Sequence, residues 1–190
     1  MARWQPGTRE RLQSTALRLF AEQGFDETTV AQIAAAADVT ERTFFRHFAD
    51  KPEVLFAGQT DFTAMFTTPV EQAPDGTPAF DLVRRALDSA ADFFPEHRRS
   101  WSRSRQAVID AVPALEEREL GKLANLKVRL GDTLRAHGID EPLATIAAET
   151  AVTVFHLAFT QWIAEPEERD FRTLVEERLA ALTALVHPGH

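Results

Sequence analysis

The 190-residue chain contains no cysteine, which excludes disulfides, thiolate metal sites and a cysteine nucleophile. The short motifs of common catalytic chemistry are also missing: there is no Gly-rich phosphate loop, no Gly-x-Ser-x-Gly elbow and no His-Glu-x-x-His helix. His187 and His190 stand in a terminal HPGH tail without companions. Glu116, Glu117 and Glu119, and likewise Glu165, Glu167, Glu168 and Asp170, fall at a helix start or beside a loop, where the helix dipole and solvation account for them. No enzyme, metal site or cofactor is therefore expected. The opening residues, MARWQPGTRE, lack the apolar run of a signal peptide, which predicts a cytoplasmic protein. Strand-like alternation and internal repeats are absent too, so the fold is predicted to be all-α.

Nor is there an excess of positive charge, since the net charge is −8. The distribution matters more than the total. Residues 1–51 hold 7 basic and 7 acidic residues, leaving 14 basic and 22 acidic for residues 52–190. The surplus acidity thus lies outside the one stretch that can read a polyanion, and it disfavours wrongly oriented encounters with one.

That stretch is 28–51, TTVAQIAAAADVTERTFFRHFADK. Thr29 and Gln32 form a capping-box signature, and Val30, Ile33, Ala34 and Ala37 follow at helical spacing. Asp38 and Val39 occupy a turn. Thr40 then offers a second N-cap hydroxyl before Glu41, whose carboxylate suits the positive end of a new helix. One helix stops and another begins within about three residues, as in a helix-turn-helix. On the second helix, with Arg42 at zero, Arg46 falls near 40°, Thr43 near 100° and His47 near 140°, at about 100° per residue. Phe44, Phe48 and Phe45 fall near about 200°, 240° and 300°, and all three are expected to anchor the core. The opposite side presents groups that duplex DNA can accept, Arg pairing bidentately with guanine and Thr touching a base or a thymine methyl. Lys51 and the backbone beside it are candidates for a phosphate. An ordinary solvated helix face would read the same way on the wheel alone.

The pattern resembles the TetR-type transcriptional regulators in Thr28, Thr29, Ile33, Ala34, Val39, Thr40, Thr43, Phe45, His47, Phe48 and Lys51, with Gly24 and Phe25 upstream. The resemblance covers roughly the first third of the chain at motif level and the remainder only by helical layout. Three positions depart from it: Asp38 stands where the family has Gly, implying a positive φ; Phe45 replaces a Tyr whose hydroxyl reaches phosphate; and Pro52 replaces an acidic residue at a helix start. The resemblance implies a three-helix DNA-binding domain over 1–51 and a helical effector-binding and dimerisation domain over 52–190. Together with the helical wheel, it makes Thr29, Thr40, Arg42, Thr43, Phe45, Arg46, His47 and Lys51 the DNA-binding candidates, with Arg42, Thr43 and Arg46 on base edges and Thr40, His47 and Lys51 on phosphates.

Upstream, Thr8 is expected to cap a helix carrying Leu12, Ala16, Leu19 and Phe20 and ended by Gly24. Residues 1–6, with Arg3 and Trp4, read either as a tail along DNA or as a start without function. Downstream, Leu55, Phe56, Gln59, Phe62 and Phe66 mark a single connecting helix, and 68–78 gives the strongest loop signal. Further helices are predicted at 79–94, 96–111, 114–137, 143–164 and 167–186, with prolines near their starts. Helix 143–164 is apolar almost all round, but Glu149, His156 and Gln161 interrupt it, which argues against a membrane span. The last helix has a stripe at Phe171, Val175, Leu179, Leu182 and Val186, with Leu174 and Leu185 beside it. These two helices either dock on their copies in a homodimer or close the core of one chain. A dimer fits the need to read two half-sites about one DNA turn apart.

By the same resemblance, the C-terminal helices are expected to hold a small-molecule effector that shifts the two DNA heads out of register. The candidates are Phe62, Phe66, Phe94, Trp101, Arg105, Phe155, His156 and Phe159, an aromatic mixture with polar fixtures that suits a pocket and equally suits plain core. Phe93, Trp162 and Gln106 stand near them. His156 reads best as a hydrogen-bonded core histidine. The function expected is a regulator, most simply a repressor, on a palindromic double-stranded DNA operator. The alternative is a helical interaction or ligand-binding module that has lost DNA binding, supported only by the missing hydroxyl at Phe45.

Overall fold

A computed structural model describes residues 7–164 and 166–186, without the side chains of Gln59, Thr60 and Val186. Arg3, Trp4, Glu165, His187 and His190 lie outside the described residues. Among those described there are ten α-helices, one 3₁₀ turn and no strand. They belong to two compact units.

The first unit comprises residues 7–58 and Ser104–Glu119. It holds α1 (Thr8–Gln23), α2 (Val30–Ala36), α3 (Glu41–His47) and α4 (Glu53–Phe56), with the later part of α7 (Arg99–Asp110) and the first turns of α8 (Pro113–Ala136). Leu12, Ala16, Phe20, Ile33, Phe44, Phe48, Leu55, Ile109 and Leu115 form its core. Helices of seven residues are not stable alone, so α2 and α3 exist because Ile33 and Phe44, both fully buried, tie them to α1 and α4. Gly7 rather than Thr8 occupies the N-cap of α1, without a side-chain bond, and Thr8 is the first helical residue. Gly24, at φ 89°, ends this helix by donating its amide to the Phe20 carbonyl, in a positive-φ conformation that glycine takes without a Cβ penalty.

Three cations fasten this unit. The Lys51 ammonium donates to the carbonyls of Phe25 (2.7 Å) and Thr28 (2.9 Å) and lies 4.2 Å from the centroid of the Phe25 ring. Arg105, nearly buried, donates to the Leu55 carbonyl at 2.7 Å and pairs with Glu119 at 2.8 Å. Arg118 pairs with Glu53 at 2.6 Å and Asp50 at 3.2 Å, while the Asp50 carboxylate accepts from the Glu53 amide at the head of α4.

The second unit comprises Gln59–Arg103 and the described residues from Leu120 onward. It contains α5 (Gln59–Glu71), α6 (Ala79–Phe93), the 3₁₀ turn Glu96–Arg98, the start of α7, the remainder of α8, α9 (Leu143–Ile163) and α10 (Phe171–Val186). Its core collects Phe66, Leu82, Leu87, Leu130, Leu134, Phe155, Trp162, Phe171 and Leu174. α9 is 21 residues long with a mean hydropathy of 1.4 over its most apolar stretch, long and apolar enough by composition to cross a membrane, although Glu149, His156 and Gln161 interrupt it. A soluble core helix passes the same test, and Ala144, Ala151, Phe155, Ala158 and Trp162 of α9 are packed inside this unit.

Several boundaries depart from the sequence expectation. The single connecting helix is broken into α4 and α5 at Ala57 (ψ 137°) and Gly58 (φ 94°). α5 runs on through Pro69 to Glu71, shortening the expected loop, because the following Val70 is fully buried and holds the turn in place. The last helix begins at Phe171, not near 167. Asp170 caps it by accepting from the Thr173 amide at 2.7 Å, and buried Arg99 donates to the Glu167 and Arg169 carbonyls, holding the approach non-helical. The α10 stripe also turns inward: Phe171, Leu174, Val175 and Leu179 lie in this unit's own core.

Lys51→Met removes two donors from carbonyls that fix the entry to α2. It should lower unfolding stability by about 1–3 kcal/mol in urea titration, whereas Arg46→Ala, on an exposed face, should stay within about 0.5 kcal/mol. Unchanged stability in Lys51→Met would contradict a fastening role.

Candidate nucleic-acid interface

Local backbone chemistry builds the reading head. The Thr29 hydroxyl accepts from the Gln32 amide at 3.2 Å and the Gln32 side chain accepts from the Thr29 amide at 2.7 Å, closing the capping box. Ala37 caps the end of α2, and Asp38 takes φ 56°, the left-handed turn inferred from an aspartate in a glycine's place. The Thr40 hydroxyl then accepts from the Thr43 amide at 3.2 Å and starts α3. A second contact, 3.1 Å between the Thr40 and Thr43 hydroxyls, engages the Thr43 side chain as well.

α3 is held in one roll by Phe44 and Phe48, 0% and 1% exposed, whose rings meet at 5.3 Å. The opposite side is open. Arg42 and Arg46 are exposed, and among the described residues neither enters an ion pair or hydrogen bond. Unpaired guanidiniums on a fixed helix face keep all five donors for an incoming acceptor. Thr29 and Thr40 are exposed, Thr43 and His47 half-buried. The His47 Nε2 is enclosed without a hydrogen-bond partner.

Two expectations change here. Phe45 is not a core anchor: it is 52% exposed, its ring set edge-on against Phe44 at 5.4 Å and 83°. At about 300° on the wheel it lies closer to Arg42 than to Phe44. Lys51 spends its ammonium on the two carbonyls before α2, which makes it a residue that positions the head. Sequence reading missed this because its partners are 23 and 26 residues away.

The effector candidates divide. Phe62, Phe66, Phe94, Phe155 and Phe159 come together in one aromatic assembly, with Phe155 and Phe159 stacked at 5.8 Å and 19°. Trp162 and Phe171 complete it, and the Lys122 ammonium lies 3.8 Å from the Phe62 ring centroid. Phe171, read from sequence as part of an interface stripe, was missed because periodicity does not tell an inward stripe from an outward one. The Trp162 indole N–H is buried without a partner. Trp101, 37% exposed, is outside this assembly. Arg105 belongs to the other unit and is consumed by Leu55 and Glu119. His156 is exposed on α9, not a core histidine. A separate groove of ≈ 390 Å³ is lined by Glu71, Arg129, Asp132, Thr133, Ala136 and His137, and it holds none of the candidates.

Residues 12–57 match the family of bacterial regulatory proteins named for tetR, and residues 77–187 match the MftR C-terminal domain. Over 69 residues the chain is 46% identical to the HTH-type transcriptional regulator TcmR of Streptomyces glaucescens, covering 36% of this chain and 30% of that one. A longer match, 31% identical over 118 residues, covers 61% of this chain and 71% of TtgW of Pseudomonas putida, an uncharacterized HTH-type transcriptional regulator. The chain thus spans less than a third of TcmR and most of TtgW. Among solved structures, the transcriptional regulator FadR from Bacillus subtilis in complex with stearoyl-CoA superposes with a TM-score of 0.63 at 16% identity, covering 95% of this chain and 99% of that one. At that identity the likeness is one of fold. A capped helix-turn-helix in the matched N-terminal segment and a helical unit matched over more than half the chain lead to one assignment: the chain belongs to the TetR family of bacterial regulatory proteins, with a C-terminal domain of the MftR kind.

Proposed function

We propose that the protein is a sequence-specific DNA-binding transcriptional regulator, a repressor that holds a roughly palindromic operator as a homodimer and releases it on binding a small molecule. The observation that carries the reading is the outer arc of α3, where Arg42 and Arg46 are exposed and unpaired while Phe44 and Phe48 fix the helix from behind. Arg42 and Arg46 are the base readers, able to pair bidentately with guanine. Thr29, Thr40 and His47 flank them for phosphates, and Thr43 adds its methyl to the arc. Lys51 positions the head from beneath. The division into a reading head and an effector and dimerisation part is supported by the two family matches, 12–57 and 77–187.

Dimerisation has support in the surfaces of α9 and α10. Ile146, Thr150, Thr153, Leu157 and Thr160 follow one another at four- and three-residue steps along α9, with Ile146 56% and Leu157 52% exposed. On α10, Ala180, Ala184 and Leu185 are exposed. Small and apolar residues in such rows allow close helix approach in a four-helix interface. The effector half rests on the aromatic assembly of Phe62, Phe66, Phe94, Phe155 and Phe159, where the unpartnered Trp162 N–H offers a bound molecule a donor. One fold neighbour was solved in complex with stearoyl-CoA, and an aromatic wall of this kind suits an apolar ligand.

Selection of bound duplexes from a random DNA pool should enrich an inverted repeat whose affinity falls with salt, log K changing by about −0.9 per neutralised phosphate against log salt. Arg46→Ala should cost about 1–3 kcal/mol and relax specificity at one position of each half-site. Absence of any enriched sequence at low salt would overturn the reading in favour of a binding module without DNA. Leu157→Arg should convert a dimer to monomers in sedimentation and abolish tight operator binding, while a wild-type monomer by the same measurement would contradict the dimer.

A further inference from the structure

We infer that Phe45 reads a thymine, its ring contacting the 5-methyl group of one thymine in each half-site. This rests on the DNA-binding reading above and adds a specificity element to it.

Phe44 and Phe48 are buried and set the roll of α3, so Phe45 cannot turn into the core without expelling them. Its ring stays 52% exposed and is braced edge-on by Phe44, at 5.4 Å and 83°. Single exposed apolar residues are common and mean nothing alone. Phe45 is different in its company. It lies three residues from Arg42, so the two side chains are neighbours on one helix face, and Arg42 and Arg46 are the exposed, unpaired cations of that face. Any duplex drawn to those guanidiniums meets the phenyl ring at the same time.

The chemistry then restricts the ring's partner. A phenyl group has no donor or acceptor, so a phosphate oxygen gains nothing from it and would lose water. The major groove displays donors and acceptors on every base edge but one apolar group, the thymine C5-methyl. A ring rigidly held beside an arginine that pairs with guanine is matched to a methyl on a neighbouring base pair. The ring thus serves as a base reader.

The test uses the operator enriched by wild-type protein. Each thymine of the half-site is replaced in turn by deoxyuridine, which keeps every hydrogen-bonding group and lacks only the methyl, and Kd is measured at one salt concentration. Wild-type protein should lose about fourfold at one position, the factor that burial of one methyl-sized group corresponds to, and roughly the square of that when both half-sites are changed. Phe45→Ala should bind the thymine and deoxyuridine operators equally, and Phe45→Gln should do the same should the alanine variant unfold. Phe45→Tyr, which retains the ring, should keep the methyl dependence. An operator insensitive to every thymine methyl, or equally sensitive in wild type and Phe45→Ala, overturns the role of Phe45 while leaving the regulator reading standing. A methyl dependence lost in Phe45→Tyr, which retains the ring, overturns it too. A pool from which nothing is enriched overturns both.

Discussion

The reading head depends on the burial of two phenylalanines. α3 is two turns long, too short to persist without tertiary contacts, and Phe44 and Phe48 both secure it and decide its roll. Each rotation step of about 100° would exchange a core ring for a guanidinium. Deleting either ring would therefore cost stability, about 3–5 kcal/mol for a buried Phe, and would also unfix the direction of Arg42 and Arg46. Packing and recognition are the same constraint seen from two sides of one helix.

The rest of the first unit serves that constraint. The two threonine caps set where α2 and α3 begin, and Asp38 at φ 56° sets the angle between them. Lys51 then ties the chain after α3 back to the carbonyls before α2. Arg105 and Arg118 bind α4 through Leu55, Glu53 and Asp50. Arg105 is nearly buried with its carboxylate, and such a pair is costly to break by removing one partner. By contrast, the cations left unpaired on α3 are the two that a polyanion would need.

Much of this was legible because it is local. A hydroxyl three residues before an amide can be read from neighbouring letters, and the caps at Thr29 and Thr40 follow directly, whereas the positive φ at Asp38 was legible only from its place in the family pattern. What the letters hid depends on distance or on depth. The wheel grouped Phe45 with Phe44 and Phe48, yet the ring at its edge falls on the open side. Lys51 and Arg105 have partners 14 to 50 residues away, beyond any periodic signal. On α10 the stripe positions Phe171, Val175 and Leu179 close their own unit, while Ala180, Ala181, Ala184 and Leu185 stay exposed. In the aromatic assembly, five of the eight effector candidates converge; Trp101, Arg105 and His156 fall elsewhere because residue type says nothing about which face a helix presents.

On the proposed reading, the outer arc of α3 lies in the major groove with its guanidiniums on guanine. Methylation interference on an enriched operator tests this most directly, since methyl groups at guanine N7 block the acceptor that a bidentate arginine uses. Interference is expected at two guanines in each half-site, lost at one of them in Arg46→Ala and at the other in Arg42→Ala. Binding indifferent to N7 methylation, or interference unchanged in both variants, would contradict it.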